Sequence, residues 1–369
     1  MKNSKRPVPE LCITGLGLVT SVGHDHKTAC ASIRAGLRRS TKLPNYYAPS
    51  KKGYDDFEDG LVTGHPVFGD EPENREARIM KLLSMALSDL KKDAGLTEAD
   101  LKDTGVFLAL PETKRCVLAE DDVKDCLLLI DTWPFSEETA VKLYPLGHAG
   151  MLFALSDAAE AIQRGDLTRA LVAGADSLIN FDDLSRLDDL ERLKTKLNTD
   201  GLMPGEAASA ILMEKTAMAK KRGTPIKSLI RVVSTAHEPE PRARGLALGT
   251  GLTHALKGIL SPDKKAPVSI DAIFSDLNGE PCRFEEWSMV QARIMNHAIG
   301  EKELICPAKN VGDTGAASAG LAICLASRAM ERGYLSSNPN HDNATALIIS
   351  SSDTGERAAL LLGTYVDEV

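Results

Sequence analysis

Residues 144–177 read YPLGHAGMLFALSDAAEAIQRGDLTRALVAGADS, and this stretch decides the fold. A Gly-flanked turn, Pro145-Leu146-Gly147-His148-Ala149-Gly150, opens it. From about Met151, apolar residues at Leu152, Leu155, Ala159 and Ile162 recur at helical spacing, and Gly165 sits just past the helix end. Leu171-Val172-Ala173-Gly174-Ala175 is then a short apolar strand. A sharp turn into a helix N-terminus exposes one side chain at the positive end of the helix dipole, which suits a thiolate or alkoxide nucleophile. The side chain at that tip is His148.

The same parts recur downstream. Lys309-Asn310-Val311-Gly312-Asp313-Thr314-Gly315 is a Gly turn, and 316–332 is a small-residue helix. Strands at 345–350 and 358–365 follow, joined by Ser351-Ser352-Asp353-Thr354-Gly355-Glu356-Arg357. Helices as rich in Ala, Gly and Ser as 149–161 and 315–327 pack closely on other backbone and suit a layer between two sheets. Upstream, the pattern predicts a strand over 11–20, a helix over 25–35, a polar surface loop over 41–73 and an amphipathic helix over 75–94. Next come a strand at 105–110 and a mixed-charge helix at 115–130, broken by Trp133-Pro134. The dense charges of 182–196 predict an exposed helix, and 200–206 is another Gly turn. The remaining pattern is a strand at 208–213, a helix at 215–222, a strand at 226–234, a helix at 253–260, a strand at 268–275, a turn at 276–281 and a helix at 284–299. Alternating strands and helices imply mostly parallel sheets covered on both faces. The chain reads as one duplicated α/β unit with halves at 1–235 and 236–369.

Composition narrows the function. With 44 basic and 52 acidic residues the net charge is −8, and no long basic run appears, which argues against nucleic acid or an anionic membrane as partner. No apolar run is long enough to span a bilayer, and the N-terminus lacks a signal-peptide core, so a cytoplasmic protein is expected. The seven cysteines are scattered and never form a CxxC pair, which argues against disulfides and structural zinc. The Gly-x-Gly of Gly15-Leu16-Gly17 lacks the third Gly of a dinucleotide site and is a tight strand exit. No cofactor and no metal are expected.

Four stretches together resemble the β-ketoacyl-acyl-carrier-protein synthases: ITGLGLVTSVG at 13–23, AIQRGDLTRALVAGADS at 161–177, DGLMPGEAASAILME at 200–214, and Lys309 ahead of a Gly-Ala-Ala helix. The match runs in order from about Ile13 to Leu362. It implies the thiolase fold, five layers αβαβα with duplicated βαβαβαββ halves and mostly parallel mixed sheets, in a chain that usually forms a homodimer. It also implies a Cys nucleophile and two histidines for decarboxylative condensation on a carrier thioester. Counting back from Gly165, the nucleophile position falls on His148; the histidine turns read Asn278-Gly279-Glu280-Pro281 and Gly312-Asp313. The closing glycine-rich loop reads Ser352-Asp353-Thr354-Gly355-Glu356, while Lys309, Gly205 and Glu206 persist. The candidate site is therefore His148, Asn278, Asp313 and Lys309, supported by Gly205, Glu206, Gly312 and Gly355.

These substitutions argue against condensation. Acyl-imidazoles hydrolyse readily, Asn278 donates a hydrogen bond without shuttling a proton, and a charged Asp313 opposes a developing enolate. A structural polar cluster, in which His148 and Lys309 balance Asp313, is the leading reading; a metal site or a His148–Asp313 hydrolytic pair are the others. The expected function is a ketosynthase-like chain without condensing activity, acting as partner subunit, scaffold or adaptor. The alternative is an acyltransferase or thioester hydrolase using acyl-CoA or acyl-carrier thioesters. Expected partners are a second copy, another thiolase-fold chain or an acyl carrier protein.

Overall fold

The computed structural model describes residues 10–366, apart from 49–59, 70–73, 98–99, 101–103, 117, 129–138, 240–246, 261–268, 295–301 and 336–342. The chain runs β1 (Leu11–Thr20), α1 (His26–Arg34), β2 (Thr41–Tyr47), β3 (Leu61–Gly64), α2 (Arg75–Ala94), β4 (Thr104–Ala109), α3 (Glu120–Leu128), β5 (Val141–Tyr144), α4 (Gly150–Arg164), β6 (Arg169–Ser177), α5 (Phe181–Asp189) and β7 (Glu206–Lys215). It continues through α6 (Thr216–Arg222), β8 (Ser228–His237), α7 (Thr250–Leu260), β9 (Ala272–Ser275), α8 (Pro281–Ile294), β10 (Glu303–Ile305), α9 (Ala308–Val311), α10 (Ser318–Glu331), β11 (Thr345–Ser351) and β12 (Glu356–Gly363).

Local signals set the helix limits. Asp25 accepts from the Thr28 amide at the head of α1, and Asn74 accepts from the Ala77 amide at the head of α2. Helix α2 buries Ile79, Leu82, Leu83, Ala86, Leu87 and Leu90, the helical stripe in the sequence, and ends at Gly95.

Ten strands hydrogen-bond in the order β10-β9-β11-β12-β8-β1-β7-β6-β4-β5. The order hides a repeat. In the first set β5, β4 and β6 are parallel, and β7 and then β1 add antiparallel. In the second, β10, β9 and β11 are parallel, and β12 and then β8 add antiparallel. The two sets meet where Leu11–Ile13 pair with Ser228–Ile230. The division expected after residue 235 falls inside β8, which pairs with the second set.

Helices α4 and α10 each touch strands of both sets, so they form the middle layer. Helix α2 covers the outer face of β1, β6 and β7; α7 covers β8 and β12 with α8 beside it. The result is the five-layered αβαβα arrangement. Small residues make the middle layer possible: Ala154, Ala158, Ala319, Ala322 and Ala326 are all buried between the sheets.

Two expectations need correcting. Residues 41–73 are not all surface loop, because β2 and β3 pair and bury Leu43, Tyr46 and Val62 against Leu178, Leu184 and Leu187. The helix expected over 182–196 stops at Asp189 and is not wholly exposed: Asp183, Leu184 and Leu187 are buried, and Leu193 bridges to Leu202. The three-residue edge strand β10 was not anticipated. Trp133-Pro134, the helix tails at 129–130 and 295–299, and the strand start at 268 lie outside the described residues.

Candidate functional site

Between β5 and α4 the backbone makes one 3-10 turn, Gly147–Ala149. Gly147 has φ +64°, and a Cβ there would lie 2.2 Å from Glu112 Oε1, so glycine is favoured at this position. The turn aims His148 inward, leaving it 6% exposed. The Ser352 hydroxyl, from the β11–β12 connection, donates to the Leu146 carbonyl and accepts from the Ala149 N–H at 2.9 Å. This ties the head of α4 to the second half. Asp313 lies just past α9, where its N–H donates to the Met203 carbonyl at 2.8 Å and its Oδ1 accepts from the Gly315 N–H at 2.9 Å. Asn278 follows the end of β9.

The three side chains meet. His148 Nε2 lies 2.8 Å from Asp313 Oδ1, and Asn278 Nδ2 donates to Asp313 Oδ2 at 2.6 Å. The other ring nitrogen of His148 faces Arg283 Nη2 at 3.5 Å. Arg283 also donates to Asp276 Oδ2 at 3.3 Å, the Ser351 carbonyl at 2.8 Å and Asp353 Oδ1 at 3.3 Å. Toward solvent, Arg192 holds Glu280 with bonds of 2.6 and 2.9 Å and Asp353 Oδ2 with one of 2.6 Å. Asn278 Nδ2 completes the ring by donating to Glu280 Oε2 at 2.9 Å.

The charges shift one another. Burial pushes the His148 imidazolium toward losing its proton, but the Asp313 carboxylate outweighs burial and Arg283, so its pKa rises above 6.5. Burial alone would raise Asp313; contact with His148, Arg283 and Asn278 instead holds it well below the ordinary 3.8. Burial likewise opposes ionisation of Glu280, and the Arg192 bidentate contact reverses that and lowers it.

Lys309 does not join this cluster: it is exposed on α9, and the cation beside His148 is Arg283. Glu206 is fully buried elsewhere, accepting from Arg78 at 2.6 and 2.8 Å, from the Val67 and Phe68 amides, and from Ser177. It pins the 67–68 loop to β7. Gly205 donates its N–H to the Asp313 carbonyl at 2.9 Å, so it braces the site through backbone. Gly312 packs beneath Met203 and His65, and the Gly355 carbonyl accepts from the Glu238 amide at 2.7 Å. Residues missed in the sequence are Arg283, Arg192, Asp276, Glu280 and Asp353. Their only signal was three acids and two arginines inside turns and charge runs that read as solvated surface.

Among the described residues, none of the five buried thiols is a ready nucleophile. Burial pushes Cys12, Cys30 and Cys116 up to about 12, and raises Cys306 and Cys324 as well. The cavities beside Asp276–Arg283 and beside Asp276–Asp313 each hold about 10 Å³, room for about one water. Among the described residues, no group of three or more His, Cys, Asp and Glu side chains is placed to hold a metal ion. With both ring nitrogens engaged, the arrangement is suited to holding charge in place.

No family model matches the chain. It aligns with an oxazolomycin ketosynthase domain from Streptomyces albus at TM-score 0.75 and 16% identity, covering 98% of this chain and 75% of that one. The chain has the ketosynthase fold. A second solved ketosynthase, from a type II polyketide system and in complex with its acyl-carrier protein, aligns at TM-score 0.75 and 17% identity, over 97% of this chain and 100% of that one. In sequence, this ketosynthase-like chain is 24% identical over 243 residues to a putative polyketide β-ketoacyl synthase 2 of Streptomyces coelicolor, covering 58% of this chain and 56% of the relative. It is 31% identical over 107 residues to a highly reducing polyketide synthase of Nectria, covering 27% of this chain and 4% of that relative. The ketosynthase-like chain thus spans little more than half the length of the first of these curated relatives and a small part of the second. None of its described helices is long and apolar enough to cross a membrane.

Proposed function

We propose that this ketosynthase-fold chain carries out no condensation and serves as a non-catalytic partner subunit, scaffold or adaptor in polyketide- or fatty-acid-type synthesis. The observation that carries this reading is the closed His148–Asp313–Asn278 cluster, with Arg283 on the far side of the ring. An acyl acceptor needs a free nucleophilic atom and space beside it for a thioester carbonyl. Here Nε2 is spent on Asp313, Nδ1 faces a guanidinium, and the Ala149 N–H that would otherwise greet an oxyanion is taken by Ser352. Expected partners are a second copy, another thiolase-fold chain or an acyl carrier protein. The strand β5 closes one end of the sheet order, which supports pairing there with another chain.

The test is incubation of the purified protein with acyl-CoA and acyl-carrier thioesters, followed by intact mass and free-thiol release. The expected result is neither an adduct nor thiol release above the uncatalysed rate. An acyl adduct or turnover that disappears in His148→Ala would replace this reading with the acyltransferase or hydrolase alternative.

A further inference from the structure

The turn that ends α5 is of a kind that favours glycine, and it holds a glutamate. The Glu191 N–H donates to the Asp188 carbonyl at 2.9 Å and the Arg192 N–H to the Leu187 carbonyl at 2.8 Å. This pair of bonds is the Schellman ending of a helix, whose residue past the cap is left-handed and usually glycine. Here that residue is Glu191 at φ +54°, the only non-glycine at positive φ among the described residues. A side chain disfavours that conformation by a factor of about five to thirty. The turn sends Arg192 from the first half onto two acids of the second. It donates to Glu280 at 2.6 and 2.9 Å and to Asp353 at 2.6 Å. Glu280 shares a turn with Asn278, and Asp353 follows Ser352, so both acids flank the His148–Asp313–Asn278 cluster. Arg192 is the outer layer of that cluster: its side chain is 18% exposed, and that of Asp313 behind it is 2% exposed. Beyond Arg192 the segment is fixed, because Leu193 and Leu202 are buried with Leu184 and Leu187, and the Gly201 carbonyl lies against Gly279.

We infer that Arg192 is a latch: swinging out on the strained turn at Glu191, it opens the His148–Asp313–Asn278 cluster to solvent and small molecules, and its return shuts the cluster. Two opposed contributions set the balance. The left-handed Glu191 favours release, and the charge-assisted bonds to Glu280 and Asp353 favour closure. A plain brace between the halves would be better served by glycine at 191, which forms the same turn without strain. The glutamate instead brings the open state closer in free energy to the closed one. Because Leu193 stays packed, the motion is confined to residues 190–192 and the Arg192 side chain. Closure rests on ion pairs at a partly exposed position, so salt is an input to the latch. Opening concerns access and no step of chemistry, so the latch holds whether the cluster is inert or accepts an acyl group.

Diethylpyrocarbonate labelling of the full chain, followed residue by residue by mass spectrometry, reads the latch through His148. Exposed His24 and His254 report the dose of reagent, and buried His26, held by Asp89 of α2, reports global unfolding. Arg192→Met is expected to speed labelling of His148 at least about tenfold with His26 unchanged. Arg192→Lys, which keeps the charge and loses the two-pronged contact, should fall between that variant and the wild type. Glu191→Gly is expected to slow labelling at least about threefold, by relieving the strain that favours release. Raising sodium chloride from about 50 to about 500 mM should at least about double the rate in the wild type and leave Arg192→Met unchanged. An unchanged His148 rate in Arg192→Met, a rise shared with His26, or faster labelling in Glu191→Gly would each overturn the inference. Thioester turnover does not enter this readout, so the latch and the absence of condensation fail separately.

Discussion

At the scale of the residue, Asp313 is the group most dependent on its neighbours. Its carboxylate is 3% exposed and accepts from His148, Asn278 and the Gly315 amide. Removing the ring leaves a buried charge short of its main counter-charge, which typically costs about 3–5 kcal/mol. His148→Ala is therefore expected to destabilise the protein on that order in urea unfolding. Asp313→Asn in the His148→Ala background should recover part of the loss, because the carboxamide needs no counter-charge. A double variant as unstable as the sum of the two singles would show that the pair is not coupled. The pair also predicts a pH window. The folded pKa of His148 lies above 6.5, so its contribution is complete below 6.5 and disappears as pH rises through the raised value. The folded pKa of Asp313 lies below 3.8, so its contribution is present above 3.8 and disappears as pH falls. Stability measured from mildly acidic to alkaline pH should decline on the alkaline side, and His148→Ala should flatten that limb. A limb of unchanged slope would assign it to another group. The resemblance to the ketosynthases pointed to His148, Asn278 and Asp313, by matching three glycine turns of this sequence to that family's. The sequence hid Arg283 and Arg192, because a partner 135 residues away, as His148 is from Arg283, leaves no local mark on a single sequence.

At the scale of the element, the two middle helices begin alike. Each follows a 3-10 turn whose first residue is a glycine at positive φ, +64° at Gly147 and +48° at Gly315. A side chain at either position carries a backbone cost of about 1–2 kcal/mol. The neighbours then separate the two. A Cβ on Gly147 meets the end of Glu112, whose carboxylate is held by a single 3.4 Å contact to Arg115. A Cβ on Gly315 lies 1.8 Å from Asp176 Oδ2, and Asp176 is fixed by Arg115 at 3.0 and 3.1 Å and by the Ala316 amide at 3.0 Å. Gly315→Ala should therefore lower the urea midpoint more than Gly147→Ala. The reverse order would mean that Asp176 yields more easily than its bonds suggest. These turns, and helices α2, α4 and α10, were legible because glycine, capping residues and the helical period are local signals. The β2–β3 pair was not, since its buried Leu43, Tyr46 and Val62 are spaced among polar residues and find their partners on α5 and beyond. Three-residue β10 carries too few positions to show any period.

At the scale of the whole molecule, the duplication extends to charge. After the second strand of each five-stranded set comes an arginine that is at least half-buried: Arg115 beyond β4 and Arg283 beyond β9. Arg115 binds Asp176 on the last but one strand of its half, and Arg283 binds the Ser351 carbonyl at the corresponding strand end. The halves nevertheless share their core. Helix α4 belongs to the first half and packs on β8 and β12 of the second, while α10 belongs to the second and packs on β1, β6 and β7 of the first. Each sheet therefore needs the other half's helix to cover its inner face, and neither sheet edge along β1–β8 is complete alone. Calorimetry should then show one transition, in which Arg115→Met in the first half and Arg357→Met in the second, where Arg357 on β12 binds Glu286 at 2.6 and 3.1 Å, lower the same midpoint. Residues 1–227 expressed alone should fail to give a cooperative melt, because the inner face of their sheet would expose Ile211, Met213 and Val172 to water. Two resolved transitions in the full chain, each moved by only one of the two variants, would instead make the halves independent units, and the middle layer would have to be reassigned from shared core to ordinary interface.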